Sequence, residues 1–509
     1  MGRWRARGVG IIGRVRFGEI LLCVVNAIGL AMLVLPLPAG ARRARHLASA
    51  PALVALAQLI GEGYRWQLVP AYALAAGVTL WWAVRVRRPA PPTGWRRLLG
   101  LTVGVVLLAA AVVVPVAVPV FRFPPPTGPY AIGTVTYHWR DDDRREIFDA
   151  DPAARREIVA QVWYPAEPGA DAPVEPYVSD AATLAPAAGR LLGVPGFVFS
   201  HLGVVPTHAT RQPPLAPDRP RYPVLVFVSG LNGFRQSNMF QVEQLVSHGF
   251  VVVGLDQPYT SAVTVLADGR AVDGWPKDRL VDVIQQSITP VTPPPALGDV
   301  PLPAGLFPYL AADIGFALDR LGGLDADDPN GLFTGRLDLD RAGAFGISLG
   351  AITVGQACHD DSRLRACLMM DAAMPAEVVR TGLRRPAMWL TRDTESILAE
   401  RDRNGGWPDH EVEETITTQR ETFAGSAPGH GYHVEIPGMF HLNYTDASRY
   451  TPLAQRLGMS GPLGAERGHD IVARYTVAFF NRFLGEASDG DAALLDGPPP
   501  WPDVRIDRR

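Results

Sequence analysis

Residues 342–357, AGAFGISLGAITVGQA, decide the fold, because an apolar run, a serine between two glycines and a helix-forming run follow one another there. Residues 342–345 predict a buried strand, and residues 351–357 predict a helix. Ser348 lies between them, in the turn of residues 346–350. A G-x-S-x-G turn between a strand and a helix exposes a nucleophilic hydroxyl, whereas the ordinary alternative is a serine that caps the helix. The strand-turn-helix context favours the nucleophile.

The same alternation of apolar runs and helical stretches extends on both sides of this turn. Short, continuous apolar runs are typical of parallel strands that are buried on both faces, and the helices between them are typical crossovers. We therefore predict an α/β fold with a mostly parallel, doubly wound sheet. An antiparallel pair of strands precedes this sheet, with a polar loop between its strands, and two Pro-rich stretches predict long surface loops. The predicted parallel strands cover residues 224–228, 251–255, 342–345, 366–370, 387–390 and 433–436, the helices 238–247, 309–321, 351–357 and 471–484, the antiparallel pair 134–139 and 158–164, and the loops 203–223 and 289–304.

A nucleophilic serine needs backbone donors that stabilise the oxyanion of the reaction. The N–H of Leu349, directly after Ser348, is the first candidate. The second donor is expected after an earlier strand, and Ser229-Gly230-Leu231-Asn232-Gly233 directly follows the predicted strand 224–228. We predict that the N–H of Leu231 is this donor. The alternative is that the segment is only a glycine-rich connection.

The general base should be a histidine on a loop after one of the last strands. His441 follows the segment Ile436-Pro437-Gly438-Met439-Phe440 in a predicted loop, and we predict that it is the base. His433 falls inside a predicted strand, and His469 lies at the start of a predicted helix. His430, in a Gly-His-Gly turn, is the nearest rival, and its alternative role is that of an exposed turn residue.

The acid that orients the base has two candidates, and both lie at the ends of predicted strands. Asp371 follows the apolar run 366–370, where an unpaired carboxylate would be costly. Asp393 ends the next strand, and the neighbouring Arg392 suits a surface ion pair. The residues themselves favour Asp371 only slightly, and Asp393 stays the alternative acid.

Charge is divided unevenly along the chain. Residues 1–120 contain fourteen Arg and two acidic residues, whereas residues 121–509 contain 34 basic and 49 acidic residues, a formal charge of −15. An acidic domain of this kind repels phosphate groups, so the composition argues against nucleic acid as a partner.

The cysteines are few. Cys23, Cys358 and Cys367 form no Cys-x-x-Cys motif and no Cys/His cluster with the spacing of a metal site, so we predict no metal and no cofactor. Cys358 and Cys367 could pair in an oxidising compartment, but two buried free thiols are the preferred prediction.

Three apolar segments near the start of the chain predict anchoring in a membrane. Residues 17–37 and 98–121 have about the length that crosses a bilayer core of roughly 30 Å, and residues 69–84 are shorter but contain Trp81-Trp82, a residue type favoured at membrane interfaces. A cleaved signal peptide is the alternative for the first segment, and buried core helices for the others. Residues 50–60 are too short to span and are predicted to lie in the interface.

Arginine placement predicts the orientation of these segments. Arginines precede the first segment and separate the second from the third, and arginines in short loops stay on the cytoplasmic side. The chain after residue 121 is then outside the cytoplasm, although Arg42, Arg43 and Arg45 weaken the contrast. We divide the chain into a membrane region, residues 1–121, and a catalytic domain, residues 122–509, joined by the Pro-rich linker 123–129.

Several stretches of the second domain resemble the plasma-type platelet-activating factor acetylhydrolases and their bacterial relatives. The resemblance extends over roughly residues 125–487 and lies in YPVLVFVSGLNGFR (222–235), SHGFVV (247–252), GISLGA (346–351), DAAMP (371–375) and HLNYTD (441–446). It implies an α/β-hydrolase fold and a calcium-independent serine esterase with Ser348, Asp371 and His441 as its triad. It also favours Asp371 over Asp393.

Two residues depart from the pattern of that family. The family commonly has His where Ser229 stands, and an aromatic residue where Ala373 stands. These differences leave the triad unchanged but alter the surroundings of the acyl and leaving groups. The function predicted from the sequence is hydrolysis of short-acyl or lipid-like esters at a membrane through an acyl-enzyme. An acyltransferase that uses the same triad is the alternative, and a catalytically inactive membrane scaffold is the least favoured one.

Overall fold

A computed structural model describes residues 17–34, 47–87, 94–169, 172–289 and 291–509. These residues form two compact units. The helical unit contains the described residues up to Arg122 together with Tyr450–Leu453, and the sheet unit contains the described residues of Phe123–Arg449 and Ala454–Arg509.

The helical unit contains the helices α1 (Phe17–Val34), α2 (Ala50–Gly61), α3 (Val69–Arg87) and α4 (Gly94–Ala117). Apolar side chains such as Leu22 and Leu30 fill its interior. Polar groups are buried there as well: Arg65 forms an ion pair with Glu19, and the Asn26 amide donates to the carbonyl of Ala71 at 3.0 Å. Because a buried charge is costly unless it is paired, the Glu19–Arg65 pair ties α1 to the segment that precedes α3.

Two described helical segments are long and apolar enough to cross a membrane, judged by length and composition: Trp66–Val84 and Gly94–Ala117. Only 17% of the second segment is buried, so most of its apolar surface is unpacked, which suits contact with lipid. Helix α4 ends four residues before the predicted end of the third span, because Pro119 cannot continue a helix. Among the described residues, the apolar stretch of the first segment, Phe17–Met32, is shorter. Residues 35–37 of that predicted span lie outside the described part of the chain.

The sheet unit is built on one large sheet, from which it takes its name. Within the described residues its strand order is β15-β14-β13-β12-β11-β5-β6-β2-β1-β4-β3, and two short two-stranded sheets, β7-β8 and β9-β10, lie apart from it. The strands are β1 (Ala131–Arg145), β2 (Arg155–Ala166), β3 (Val174–Pro176), β4 (Pro206–Arg211), β5 (Tyr222–Val228), β6 (Val251–Asp256), β7 (Val263–Val265), β8 (Ala271–Asp273), β9 (Ala296–Leu297), β10 (Val300–Pro301), β11 (Leu337–Ile347), β12 (Leu364–Met370), β13 (Ala387–Thr391), β14 (Gly431–Glu435) and β15 (Arg505–Arg508).

The centre of the sheet is parallel. Strands β6, β5, β11, β12, β13 and β14 pair in parallel, whereas β2 and β15 flank them antiparallel. The predicted parallel strands are all present, and so are the four predicted helices, as α6, α8, α9 and α13 in the numbering below. The helices of this unit are α5 (Ala181–Leu192), α6 (Met239–Ser247), α7 (Lys277–Ile288), α8 (Phe307–Ala326), α9 (Leu349–Asp360), α10 (Ala376–Thr381), α11 (Thr394–Asn404), α12 (Asp409–Gly425), α13 (Ala465–Phe483) and α14 (Asp489–Asp496).

Burial explains why these strands lack the alternation of exposed strands. Every residue of β5 and β6 is buried, and Phe227 of β5 packs against Phe345 of β11 with ring centroids 5.0 Å apart. Side chains on both faces of the sheet are therefore apolar, as expected for parallel strands covered by helices on both sides. The fold is α/β with a mostly parallel sheet, as predicted.

Three sequence expectations need correction. The Pro-rich stretch 203–223 is not a continuous surface loop, because it contains β4, which pairs with β1. The stretch 289–304 likewise contains the short pair β9 and β10. Cys358 and Cys367 form a disulfide and are not free thiols, since the last turn of α9 brings Cys358 beside β12, with the two Cα atoms 6.3 Å apart.

Candidate active site

Ser348 lies in the turn between β11 and α9, where its backbone has φ 57° and ψ −125°. A non-glycine residue at positive φ is strained, and such strain is typical of functional turns. The Ser348 N–H donates to the carbonyl of Met370 at 3.0 Å. Its side chain makes no capping hydrogen bond to α9, which argues against the alternative of a helix-capping serine.

The two glycines of the turn are required by close backbone contacts. A Cβ on Gly350 would lie 2.1 Å from the carbonyl oxygen of Val228, and a Cβ on Gly346 would lie 2.5 Å from the carbonyl of Gly350. Real Cβ atoms do not approach backbone so closely, so only glycine fits either position. The turn is thereby pressed against the end of β5.

The turn lies at the topological switch point of the sheet, where successive strands are added on opposite sides. Strand β5 is followed by β6 on one side and has β11 on the other, and ligands of open α/β sheets bind at such switch points. Gly230, two residues after β5, is close to the serine: a Cβ placed on Gly230 would lie 3.7 Å from the Ser348 Oγ. The predicted oxyanion segment therefore lies against the predicted nucleophile.

Both predicted oxyanion donors are free to donate. Leu349 is the first residue of α9, so its N–H has no partner within the helix. The N–H of Leu231 makes no hydrogen bond within the described part of the chain, whereas the next two N–H groups do: Asn232 donates to Thr260 at 2.7 Å and Gly233 to Gly230 at 2.9 Å. An unpaired N–H beside the serine turn is what an oxyanion site requires.

Arg235 fixes this loop from behind. It is buried and bonds to Asp256 through both its backbone N–H, at 2.7 Å, and its guanidinium. The guanidinium also donates to Gln161 at 3.2 Å and to Asp180 at 2.8 Å. These contacts hold the loop after β5 to β6 and β2, so the Leu231 N–H is held in place before any substrate binds.

The four late histidines have different surroundings. The Nδ1 of His441 bonds to Oδ2 of Asp371 at 2.5 Å, and its side chain is 20% exposed. His430 is exposed, and its ring contacts Phe483. His433 is buried in β14, where burial and the nearby Arg420 lower its pKa to about 4. His469 is buried in α13, where its ring bonds to Ser448 and Arg449.

Asp371 directly follows β12 and, like Ser348, has a positive φ, of 47°. Its N–H donates to the carbonyl of Leu390 in β13 at 3.0 Å, and the preceding residue, Met370, accepts the N–H of Ser348. The end of β12 is therefore bonded to β13 on one side and to the Ser348 turn on the other. Burial alone would raise the pKa of Asp371, but the Arg392 guanidinium and the His441 hydrogen bond outweigh burial and lower the pKa to about 2. The carboxylate is therefore charged at neutral pH.

Asp393, the alternative acid, is engaged elsewhere. It is the N-cap of α11, and its carboxylate accepts the N–H of Ser396 at 3.2 Å. The expectation that Arg392 forms a surface ion pair is wrong: Arg392 is buried and pairs with Asp371 at 2.8 Å.

Two residues at the site were missed by the sequence interpretation. Glu400, on α11, accepts the backbone N–H of His441 at 2.8 Å. Trp407, in the loop between α11 and α12, contacts the His441 ring with centroids 5.5 Å apart. No local pattern marks either residue. The one signal in the sequence was the glycine pair Gly405-Gly406 before the tryptophan, and both glycines have positive φ in the structure. Such a pair indicates a tight turn but does not show that the turn contacts His441.

Among the described residues, no group of three or more His, Cys, Asp or Glu side chains is arranged to hold a metal ion.

Comparison with known proteins relates the chain to a family. The family model described as "Platelet-activating factor acetylhydrolase, isoform II" matches residues 120–273. A curated platelet-activating factor acetylhydrolase from Cavia porcellus is 23% identical over 287 residues, which are 54% of this chain and 61% of that protein. Over these residues the chain is similar to the platelet-activating factor acetylhydrolases of isoform II.

The match to the acetylhydrolase family model includes β1, β2, β5, β6 and the Leu231 loop, and it ends before Ser348. The chain matches about three fifths of the length of the curated acetylhydrolase. Among solved structures, a ferulic acid esterase from Streptomyces cinnamoneus superposes with a TM-score of 0.56 at 24% identity, over 76% of this chain and 99% of that one. This likeness shows the α/β-hydrolase fold.

Proposed function

We propose that the chain is a serine ester hydrolase in which Ser348 is the nucleophile, His441 the general base and Asp371 the acid that orients it. The observation that carries the proposal is the 2.5 Å hydrogen bond between His441 Nδ1 and Asp371 Oδ2, next to a strained serine turn that bonds to Met370, the residue before Asp371. One strand end thus connects the serine turn to the Asp-His pair. The relationship to the acetylhydrolases supports the same chemistry.

Acylation begins when His441 takes the proton of the Ser348 hydroxyl through Nε2, while Nδ1 stays bonded to Asp371. The Ser348 Oγ forms a bond to the ester carbonyl carbon, and the N–H groups of Leu231 and Leu349 stabilise the resulting oxyanion. The bond between that carbon and the leaving alcohol oxygen then breaks. His441 returns its proton to the alcohol, and the acyl group remains on Ser348.

Deacylation repeats these steps with water. His441 takes a proton from the water molecule that attacks the acyl carbon, and the same two N–H groups stabilise the second oxyanion. The bond to the Ser348 Oγ breaks, the serine recovers its proton from His441, and a carboxylic acid leaves. Asp371 remains ionised throughout, because its pKa of about 2 lies far below neutral pH.

Short-acyl esters are the substrate class that we propose. The curated relative is named for the hydrolysis of the acetyl ester of platelet-activating factor, so a phospholipid acetyl ester is the first natural substrate to test. The leaving alcohol takes its proton from His441, and Trp407 contacts that ring. We therefore place the leaving alcohol beside the Trp407 indole. The Arg392 guanidinium already makes a cation-π contact with this indole, 5.1 Å from the ring centroid. The indole therefore favours apolar or aromatic alcohols over cationic ones.

We further propose that the chain is membrane-attached and that the sheet unit faces an oxidising compartment outside the cytoplasm. Two apolar helical segments of sufficient length support attachment. The Cys358–Cys367 disulfide supports the compartment, because disulfides persist in oxidising environments and are rare in the cytosol. Resistance of the membrane-bound protein to carbonate extraction tests attachment. Digestion of the sheet unit by a protease added to intact cells tests the orientation, and a protected unit would contradict it.

The decisive experiment treats the full-length chain with a fluorophosphonate probe and measures hydrolysis of p-nitrophenyl acetate. Ser348→Ala should abolish labelling and reduce turnover by at least about 10⁴-fold. Ser200→Ala is the control, because Ser200 is an exposed serine whose hydroxyl bonds only to the carbonyl of Phe197 among the described contacts. Equal labelling of wild type and Ser348→Ala, or a wild type that neither labels nor hydrolyses the ester, would refute the proposal.

A further inference from the structure

Arg392 connects the acid and the base through a closed ring of contacts. Its Nε donates to Asp371 at 2.9 Å, and its Nη1 donates to Glu400. Oε2 of Glu400 also accepts the backbone N–H of His441 at 2.8 Å, and the side chain of His441 returns to Asp371 at 2.5 Å. We call Asp371, Arg392 and Glu400 the Arg392 cluster. The His441 residue is therefore held by the cluster at both its backbone and its ring.

The charges of this cluster do not cancel. Asp371 and Glu400 each contribute −1 and Arg392 contributes +1, so the cluster carries −1 next to the imidazole. Without Glu400, the guanidinium would neutralise the carboxylate on which the protonated imidazole depends. Because the side chains of Asp371 and Arg392 are at most 1% exposed, water screens these charges little.

Other titratable groups lie near the His441 turn, among them Asp393 and Glu435, whose charges help to raise the pKa of Tyr444. On the turn itself, burial and Asp371 raise the pKa of Tyr444 well above its usual value, so it is neutral. On α13, burial keeps His469 neutral by lowering its pKa, and Arg449 bonds to that ring. The carboxylate of Asp446 accepts the N–H groups at the start of α6.

We propose that Arg392 and Glu400 are positioning residues of the hydrolytic site: Arg392 fixes the Asp371 carboxylate, and Glu400 restores the negative charge that Arg392 would cancel while holding the His441 backbone. This inference rests on the proposed function. The hydrogen bonds of Arg392 are incomplete, since its buried Nη2 has no partner among the described residues. A cluster that served stability alone would be expected to satisfy every donor.

The test is a set of charge variants of the full-length chain, with kcat/KM for p-nitrophenyl acetate measured against pH. Glu400→Gln makes the cluster neutral and should move the acidic limb of the profile down by about one pH unit, because the protonated imidazole loses stabilisation. Arg392→Met makes the cluster −2 and should move the limb up by about as much. The double variant restores −1, and its limb should return close to that of the wild type.

The reduction in rate is a second readout. At the plateau of the profile we expect kcat/KM to fall about 10- to 100-fold in the double variant, because the Asp371 carboxylate loses Arg392, and to fall less in Glu400→Gln, whose amide oxygen can still accept the His441 N–H. Arg392→Lys keeps the charge but not the fork of donors, so it should leave the limb in place while lowering the plateau. This variant also serves if Arg392→Met does not fold.

Matched controls come from a second buried arginine set, Glu146, Arg156 and Asp313, which we call the Arg156 cluster. Glu146→Gln makes the same chemical change as Glu400→Gln and should leave the acidic limb where it is. Shifts that are absent, that have the same sign in both single variants, or that appear equally in Glu146→Gln would overturn the inference. If the wild type labels at Ser348 but the acidic limb does not shift in the variants, only this inference is refuted. If the wild type does not label, the proposed function is refuted as well.

Discussion

The Arg156 cluster and the Arg392 cluster have the same composition, an arginine between an aspartate and a glutamate, but they differ in how completely they are bonded. All three guanidinium nitrogens of Arg156 donate to Glu146 or Asp313, and Asp313 also accepts from Arg144 at 2.6 Å and from Gln257 at 2.7 Å. In the Arg392 cluster one guanidinium nitrogen has no partner within the described part of the chain, and each of the two acids also bonds to His441.

Under the proposed function, this difference separates a buried charge cluster that stabilises the fold from one that acts on the general base. The Arg156 cluster joins β2, α8 and the chain after β1, and every strong group in it is satisfied by the protein. The Arg392 cluster leaves part of its bonding capacity to a residue that must gain and lose a proton. Burial makes charges strong in both places, but only the second cluster directs them at a titrating group.

The largest expected effect separates the two aspartates at neighbouring strand ends. Asp371→Asn should lower kcat/KM by about 10³–10⁴-fold, because the amide cannot stabilise the protonated His441. Asp393→Asn should change kcat/KM by less than about twofold, since asparagine caps a helix as well as aspartate does. Ester hydrolysis and the rate of fluorophosphonate labelling measure both variants. A greater loss in Asp393→Asn would move the acid to Asp393.

The free energy of unfolding should depend more on the Arg156 cluster than on the Arg392 cluster. Arg156→Met leaves Glu146 buried without its cation, while Asp313 still pairs with Arg144, and should lower the free energy of unfolding by about 3–5 kcal/mol. Arg392→Met should cost less, because Asp371 and Glu400 keep their bonds to His441. Urea unfolding of both variants gives the comparison. An equal loss in the two variants would mean that the Arg392 cluster also serves mainly to hold the fold.

His433 shows what happens to a buried group that can carry a positive charge but has no hydrogen-bonded acid among the described residues. Its folded-state pKa of about 4 lies below the usual 6.5, so the folded protein resists protonation. The stability that this neutral ring contributes is present above about pH 6.5 and is lost as the pH falls towards 4, by up to about 3 kcal/mol.

His433→Phe should therefore flatten the decline of stability between pH 6.5 and 4. The ring of His433 already contacts Phe423, with centroids 5.7 Å apart, so phenylalanine suits its surroundings. Unfolding by urea at several pH values measures the slope, and His430→Phe is the control because His430 is exposed. Parallel slopes in wild type and His433→Phe would show that other groups cause the acid sensitivity.

The smallest effect concerns Trp407, which contacts both the Arg392 cluster and His441. Trp407→Ala should lower kcat/KM about three- to tenfold more for phenyl acetate than for ethyl acetate, because only the phenol leaving group stacks on the indole. Trp407→Phe should recover part of the preference. Trp501 stacks on Arg474 at 4.9 Å, so Trp501→Ala is a matched control. An equal reduction for the two esters would argue against the leaving-group assignment.

The sequence predicts the fold well because the parallel strands are short apolar runs whose burial is local information. The candidates at the site were found for a related reason: Ser348, Asp371 and Leu231 all follow a strand, and parallel strands end at one edge of a sheet. Arg392 was misassigned because its direction depends on the twist and packing of β13, which no local pattern contains. Glu400 is separated from His441 by 41 residues, so their contact exists only in the folded chain.

The Cys358–Cys367 disulfide closes a loop with a sequence separation of only nine residues. A loop so short removes little conformational freedom from the unfolded chain, and by the chain-entropy relation the bond contributes about 2–3 kcal/mol. Its location matters more than this energy. The disulfide joins α9, which begins after Ser348, to β12, which ends before Asp371. We expect the reduced chain to keep its fold, so that thiol reagents loosen the spacing between the serine turn and the acid without unfolding the molecule.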